Sequence, residues 1–146
     1  MWNNQQAQEN ILIQLGVFLF FLGLIVGFLV PALPNPRMGL ASHLEGIING
    51  IFLIVVGSIW SRLVLAPGVL KVLFSLLIYG TFANWLATLL AAIWGAGRSM
   101  PIAAQGQEST ASKEVVVDFL LYSLSLAMLA SCVILLIGLR GKCSRT

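Results

Sequence analysis

Residues 11–33 read ILIQLGVFLFFLGLIVGFLVPAL, an apolar run interrupted by a single polar side chain, Gln14. A run of that length and composition is long enough to cross the hydrocarbon of a bilayer as a helix. Only internally hydrogen-bonded backbone survives there. The rest of the chain repeats the theme. Of 146 residues, 59% are hydrophobic and 9% charged, with a mean hydropathy of +0.98, whereas an ordinary soluble domain carries about 25% charged residues. A soluble globular protein, a disordered chain, a nucleic-acid binder and a secreted disulfide scaffold are excluded together. The length allows one domain.

Three further runs follow, and the expected architecture is an all-α membrane protein, a bundle of four transmembrane helices over about 11–33, 42–65, 69–95 and 115–139. Pro31, Pro34 and Pro36 end the first. Ser42 is a candidate N-cap for the second. Ala66-Pro67-Gly68 is a short turn that makes helices two and three antiparallel neighbours. Gly95-Ala96-Gly97 closes the third, and the stretch from Arg98 to Glu114 reads as a water-exposed loop. The first span is preceded by Asn3, Asn4, Gln5, Gln6 and Glu9 without a Lys or Arg, so it reads as a retained span and not a signal peptide.

Eight Lys and Arg face five Asp and Glu, for a formal charge of +3. Arg62, Lys71, Arg140, Lys142 and Arg145 share the side of the termini, against Arg37, Arg98 and Lys113 opposite. This bias favours both termini in the cytoplasm. Cys132 and Cys143 lie too differently placed to pair, and form no metal motif. Trp2, Trp60 and Trp94, near span ends, read as interfacial anchors, and mid-span Trp85 as a pocket wall.

Glycines fall in stripes, Gly16, Gly23 and Gly27 on the first helix and Gly46, Gly50 and Gly57 on the second. This spacing lets helix backbones approach closely; a flat cofactor lying on a glycine face is the other reading. Ionisable side chains inside a bilayer cost about 2.5–3.5 kcal/mol at mid-span, so each calls for an explanation. The candidates are His43, Glu45 and Asn49 on the second helix, Tyr79, Asn84 and Thr88 on the third, and Asp118 and Tyr122 on the fourth. At about 1.5 Å per residue His43, Asp118, Asn49, Thr88, Tyr122 and Asn84 lie in one half of the membrane, as a pocket requires. Glu45 and Asn49, Asn84 and Thr88, and Asp118 and Tyr122 are each four apart and share a face. Plainer roles stand beside these: an interfacial imidazole for His43, a salt bridge from Glu45 to Arg37, interhelical hydrogen bonds for Asn49 and Asn84, and helix-dipole complementation for Asp118. Phosphate loops, Ser-His-Asp sets and paired cysteines are missing, so hydrolytic and nucleotide-driven chemistry have no machinery.

The blocks Asn35-Pro36-Arg37-Met38-Gly39-Leu40, His43-Leu44-Glu45-Gly46 with Asn49-Gly50, Tyr79-Gly80-Thr81-Phe82-Ala83-Asn84-Trp85 and Glu114-Val115-Val116-Val117-Asp118-Phe119 closely resemble the hydroxylaminobenzene mutase family. The pattern is more distantly similar to styrene oxide isomerase. The resemblance implies an isomerase that converts an aryl hydroxylamine to an ortho-aminophenol, 2-aminophenol from hydroxylaminobenzene, in bacterial nitroarene degradation at the inner membrane. It also implies a trimer with haem b between subunits, His43 as axial ligand of a Lewis-acidic iron, and Asn49 and Asn84 as pocket residues. Two positions depart from the more distant relative: its acid falls on Gly80 beside Tyr79, and its tyrosine on Thr88. On this reading Asn84, Asn49 or Tyr79 orients a small aromatic substrate that arrives through the lipid, and Asp118 or Glu45 accepts the proton lost from the ring. An epoxide isomerase, or a small transporter or membrane anchor subunit without enzymatic activity, is the alternative.

Overall fold

The structure, a computed structural model, describes residues 4–140; Trp2, Lys142, Cys143 and Arg145 lie outside the described residues. Four helices form an up-and-down bundle: α1 (Asn4–Leu29), α2 (Pro36–Ile59), α3 (Pro67–Trp94) and α4 (Ala111–Arg140). All four are long and apolar enough to cross a membrane. Single 3₁₀ turns, Val30–Ala32 and Trp60–Arg62, follow α1 and α2. The helices pack in chain order, with α2 between α1 and α3, and α4 laid against α3.

The α1–α2 contact is made by backbone. A Cβ placed on Gly16 would come within 2.7 Å of the Gly50 carbonyl oxygen, and one on Gly23 within 2.9 Å of the Gly46 carbonyl carbon. The two glycine stripes therefore face each other, and helix packing fills the space a flat cofactor would need between them.

The helix starts differ from those expected. α2 begins at Pro36 with Asn35 as its cap, the Asn35 side chain accepting a hydrogen bond from the Met38 amide at 3.1 Å. A proline at the first helical position gives up only an amide that has no partner there, so Pro36 opens a helix. Ser42 is thus not a cap; it sits inside α2, fully buried, and donates to the Trp85 carbonyl of α3 at 3.2 Å. α3 ends at Gly95, whose φ of +65° suits glycine.

Two further expectations are corrected. Trp60 is buried, not interfacial: its indole N–H donates to Gln8 at 3.3 Å and its ring meets Phe74 edge-on at 6.3 Å. The Arg98–Glu114 stretch is not exposed throughout. Ala104 is buried against Ala96 and the end of α3, and its carbonyl accepts from the Asn35 side chain at 3.0 Å. The Glu114 carboxylate, also buried, accepts from the backbone amides of Gly97, Arg98 and Ser109 at 3.2, 3.1 and 2.7 Å. Those three charge-assisted bonds fold the loop back over the bundle.

Replacing Gly23 by Ala is expected to destabilise the bundle by about 1–3 kcal/mol, because the added methyl meets backbone that cannot yield. Gly68→Ala, which meets nothing within 4 Å, serves as the neutral control. Thermal unfolding in detergent micelles measures both.

Candidate active site

Buried polar side chains divide into two kinds. Thr81, Thr88 and Ser131 return their hydroxyl protons to carbonyls of their own helix, four residues back. Such bonds satisfy the side chain locally and specify no partner. Asn49 does otherwise, and with it the site begins. Its amide nitrogen donates to Oε2 of Glu45 at 3.0 Å, one turn away on α2, and the Asn84 amide reaches the same oxygen from α3 at 2.6 Å. Glu45, Asn49 and Asn84 thus form one cluster bridging α2 and α3, in which the four-residue spacing accounts for Glu45 with Asn49 and the contact with Asn84 comes from helix packing. Thr88 adds a support to the Asn84 turn by donating to the Asn84 and Trp85 carbonyls. Both amides land on Oε2, so Oε1 is left as the acceptor of the carboxylate. Two neutral donors on one oxygen hold the side chain in place without a counter-charge, and the salt bridge to Arg37 is not formed.

His43 lies on another flank of α2. Two residues of helix rotate a side chain by roughly 200°, so His43 and Glu45 face nearly opposite ways. The His43 ring packs on Gly27 of α1, where a Cβ would fall within 2.6 Å of Nδ1, and Nδ1 lies 2.8 Å from the Gly23 carbonyl oxygen. A carbonyl only accepts, so Nδ1 carries a proton, and Nε2 is the nitrogen left to serve as a ligand. Metal-bound histidines are oriented in this way by a backbone carbonyl on the far nitrogen. The imidazole borders an apolar groove of about 410 Å³ walled by Leu24, Phe28, Val30, Pro31 and Leu40. Phe28 at its edge is 88% exposed, so the groove opens sideways. An imidazole beside a large apolar wall fits the needs of a haem.

Tyr79 and Asp118 are not brought to the Glu45 cluster. The Tyr79 hydroxyl lies 2.6 Å from Ser123 of α4. Asp118 pairs with the Arg98 guanidinium at 2.9 Å and accepts the Ser99 hydroxyl, so it holds the loop after α3. That hydrogen bond and the carboxylate charge push the Arg98 pKa up from its ordinary value. Trp85 borders a different groove from His43 and presses its indole edge on Gly46. Its indole nitrogen is buried without a hydrogen-bond partner.

The sequence reading assigned no structural role to Asn35 or Glu114, and took Ser42 for a helix cap. Asn-Pro before an apolar run was the available signal for Asn35. Placing α4 four residues too late hid Glu114, which stands in its first turn. The interhelical role of Ser42 left no sequence signal, since its partner is a backbone carbonyl far along the chain.

The styrene oxide isomerase family matches residues 8–140 of the chain. Hydroxylaminobenzene mutase HabB of Ectopseudomonas oleovorans is 55% identical over 135 residues, which span 92% of this chain and 82% of HabB. Hydroxylaminobenzene mutase HabA of the same organism is 54% identical over 125 residues, 85% of this chain and 93% of HabA. No solved structure matches.

Asn84→Ala is expected to cost about 1–3 kcal/mol by removing a donor from a carboxylate at membrane depth. Asn84→Asp should cost more, because it sets a second carboxylate against Glu45. Chemical unfolding of the two variants in mixed micelles tests the order.

Proposed function

The chain belongs to the styrene oxide isomerase family, and from that premise we propose that it is an intramolecular isomerase, a mutase that rearranges hydroxylaminobenzene to 2-aminophenol. The observation that carries this reading is the carboxylate of Glu45, held by two amides inside an apolar bundle. The relatives named hydroxylaminobenzene mutases support the substrate.

The rearrangement breaks the N–O bond, forms a C–O bond at the ortho carbon and moves one proton from that carbon to nitrogen. Its formula is unchanged, so neither oxidant nor reductant is consumed. Asn49 and Asn84 fix Glu45 through Oε2, and Oε1 takes the ring proton as rearomatisation proceeds and returns it to nitrogen. The second N–H of each amide is free to orient the polar end of the substrate. Apolar walls exclude water, which keeps the migrating hydroxyl near the ortho carbon.

Haem b is part of the proposal. His43 would hold it through Nε2, with Leu24, Phe28 and Leu40 beside it. Bound there, its iron would supply a Lewis acid that weakens the N–O bond. His43 and Glu45 face opposite flanks of α2, which supports a homotrimer in which the His43 groove of one copy meets the Glu45 face of the next. The placement of Arg62, Lys71 and Arg140 supports a bacterial inner-membrane protein with both termini in the cytoplasm.

Purified protein in liposomes should convert hydroxylaminobenzene to 2-aminophenol, followed by chromatography of the product, without added cofactor turnover. Glu45→Gln should lower kcat by about 10²- to 10⁴-fold. His43→Ala should lose the Soret band and the activity together. A His43→Ala protein that keeps both removes the ligand assignment, and turnover of styrene oxide in place of hydroxylaminobenzene removes the substrate.

A further inference from the structure

Among the described residues, two hydrogen bonds cross between α2 and α3, and on α3 they involve neighbouring residues. Ser42 of α2 donates to the Trp85 carbonyl at 3.2 Å, and Asn84 of α3 donates to Oε2 of Glu45 at 2.6 Å. Ser42, Glu45 and Asn49 stand at i, i+3 and i+7, so they form one stripe of α2. Its counterpart on α3 is the single turn that starts at Asn84. Thr88 closes that turn, its hydroxyl lying 3.0 Å from the Asn84 carbonyl and 2.9 Å from the Trp85 carbonyl.

The two bonds differ in stiffness. Several torsions separate the Glu45 carboxylate and the Asn84 amide from their backbones, so that pair can meet over a range of helix placements. The Ser42 hydroxyl hangs on one side-chain torsion, and the oxygen it reaches is backbone. Such a bond admits little sliding or rotation of α3 on α2. Ser42 is also fully buried, so its hydroxyl has no exchange with water. Gly46 limits how near α3 comes, since a Cβ there would lie 3.0 Å from the Trp85 indole. Ser42 sets where along α2 that turn of α3 rests. Asn84, next in the chain to the anchored carbonyl, is carried to Oε2 with it.

We propose that Ser42 is a positioning residue for the Glu45 cluster: by holding the Trp85 carbonyl it sets Asn84 on Oε2, and so decides that Oε1 is the oxygen left for the substrate. The inference rests on the reading of Glu45 as the group that moves the ring proton. Ser42 bonds to backbone and acts through α3. Loss of its hydroxyl strands no buried acceptor, because the Trp85 carbonyl keeps the Thr88 hydroxyl and its place in the α3 helix. The fold therefore loses little while the cluster loses its register.

The test uses Ser42→Ala in the full-length protein in lipid nanodiscs, with Ser58→Ala as control. Ser58 also lies on α2, but its hydroxyl turns back to the Ile54 carbonyl at 2.8 Å. Ser42→Ala should melt near the wild type yet lower kcat for hydroxylaminobenzene about 10-fold with KM unchanged, the cost of a misplaced group. In an Asn84→Ala background the same change should cost nothing further, since the residue it positions is gone. Two NMR signals read the arrangement without turnover. The pair Trp-Leu occurs once in the chain, at Trp85-Leu86, so ¹³C-carbonyl tryptophan with ¹⁵N-leucine gives one peak for the Trp85 carbonyl. Labelling with ¹⁵N-asparagine reports the Asn84 side-chain amide, assigned with Asn84→Ala. Both signals should move in Ser42→Ala and neither in Ser58→Ala. A Trp85 signal that moves while the Asn84 amide stays would overturn the proposal. So would additive losses in the double variant, or a wild-type kcat in Ser42→Ala when Glu45→Gln is impaired. If the double variant does not fold, the two signals in Ser42→Ala decide alone. Wild-type turnover by Glu45→Gln would count against the reading of Glu45, and the Asn84 amide would still decide Ser42.

Discussion

The position of Gly46 is the constraint on which the rest of the bundle depends. A Cβ there would collide with Gly23 of α1 and would lie 3.0 Å from the indole of Trp85 on α3. One absent side chain thus lets three helices meet at a point. On one side the approach brings the Gly23 carbonyl to Nδ1 of His43 and so fixes which nitrogen of the ring is free. On the other it seats α3 close enough for Asn84 to reach Glu45. The imidazole and the carboxylate, though they face different flanks of α2, owe their geometry to the same contact. Loss of that contact would release both, so the glycine stripe sets the geometry of the two polar groups as well as the packing.

Much of this was legible in the sequence because the bilayer imposes few solutions. Long apolar runs must be helices, and short turns between them must make antiparallel neighbours. Charge and amide residues in such helices then stand out against an apolar background, and helical spacing puts Glu45 with Asn49. The alternating direction of the helices places Asn84 at a matching depth. What the sequence could not show was the rotation of each helix about its axis. Tyr79 and Asn84 lie at compatible depths, yet roughly 140° of rotation separates them, and Tyr79 turns to Ser123 instead. Asp118 was placed at the right level but lacked its partners, because Arg98 and Ser99 belong to a loop whose path no periodicity encodes. The same gap explains Asn35, whose side-chain amide reaches the Ala104 carbonyl in that loop.

The two halves of the bundle are held by different physics. Toward the chain termini, Leu12, Leu19, Leu53, Trp60, Leu73 and Leu77 form a fully buried apolar cluster. Toward the loops, the buried residues are small, Ala83, Ala87, Ala91, Ala92, Ala96 and Ala104, together with Met38 and Val117. Alanines offer less area for dispersion contact, but they let backbones and the returning loop come close. In that half, directional bonds from Asn35, Ser42, Glu45 and Glu114 supply the specificity that side-chain bulk supplies in the other.

This division has a consequence for function. In a bilayer, lipid tails solvate apolar side chains nearly as well as other helices do, so helix association rests on close packing and on interhelical hydrogen bonds. The leucine-rich half packs closely without polar groups and can hold the helices in register by itself. The alanine-rich half is then free to carry a carboxylate whose hydrogen bonds are not the main support of the fold. A site built this way can trade a donor from Glu45 to a bound substrate and back while the opposite half keeps α2 and α3 in place. The apolar bulk that marked the chain as a membrane protein is in this sense also what permits a polar cluster inside it.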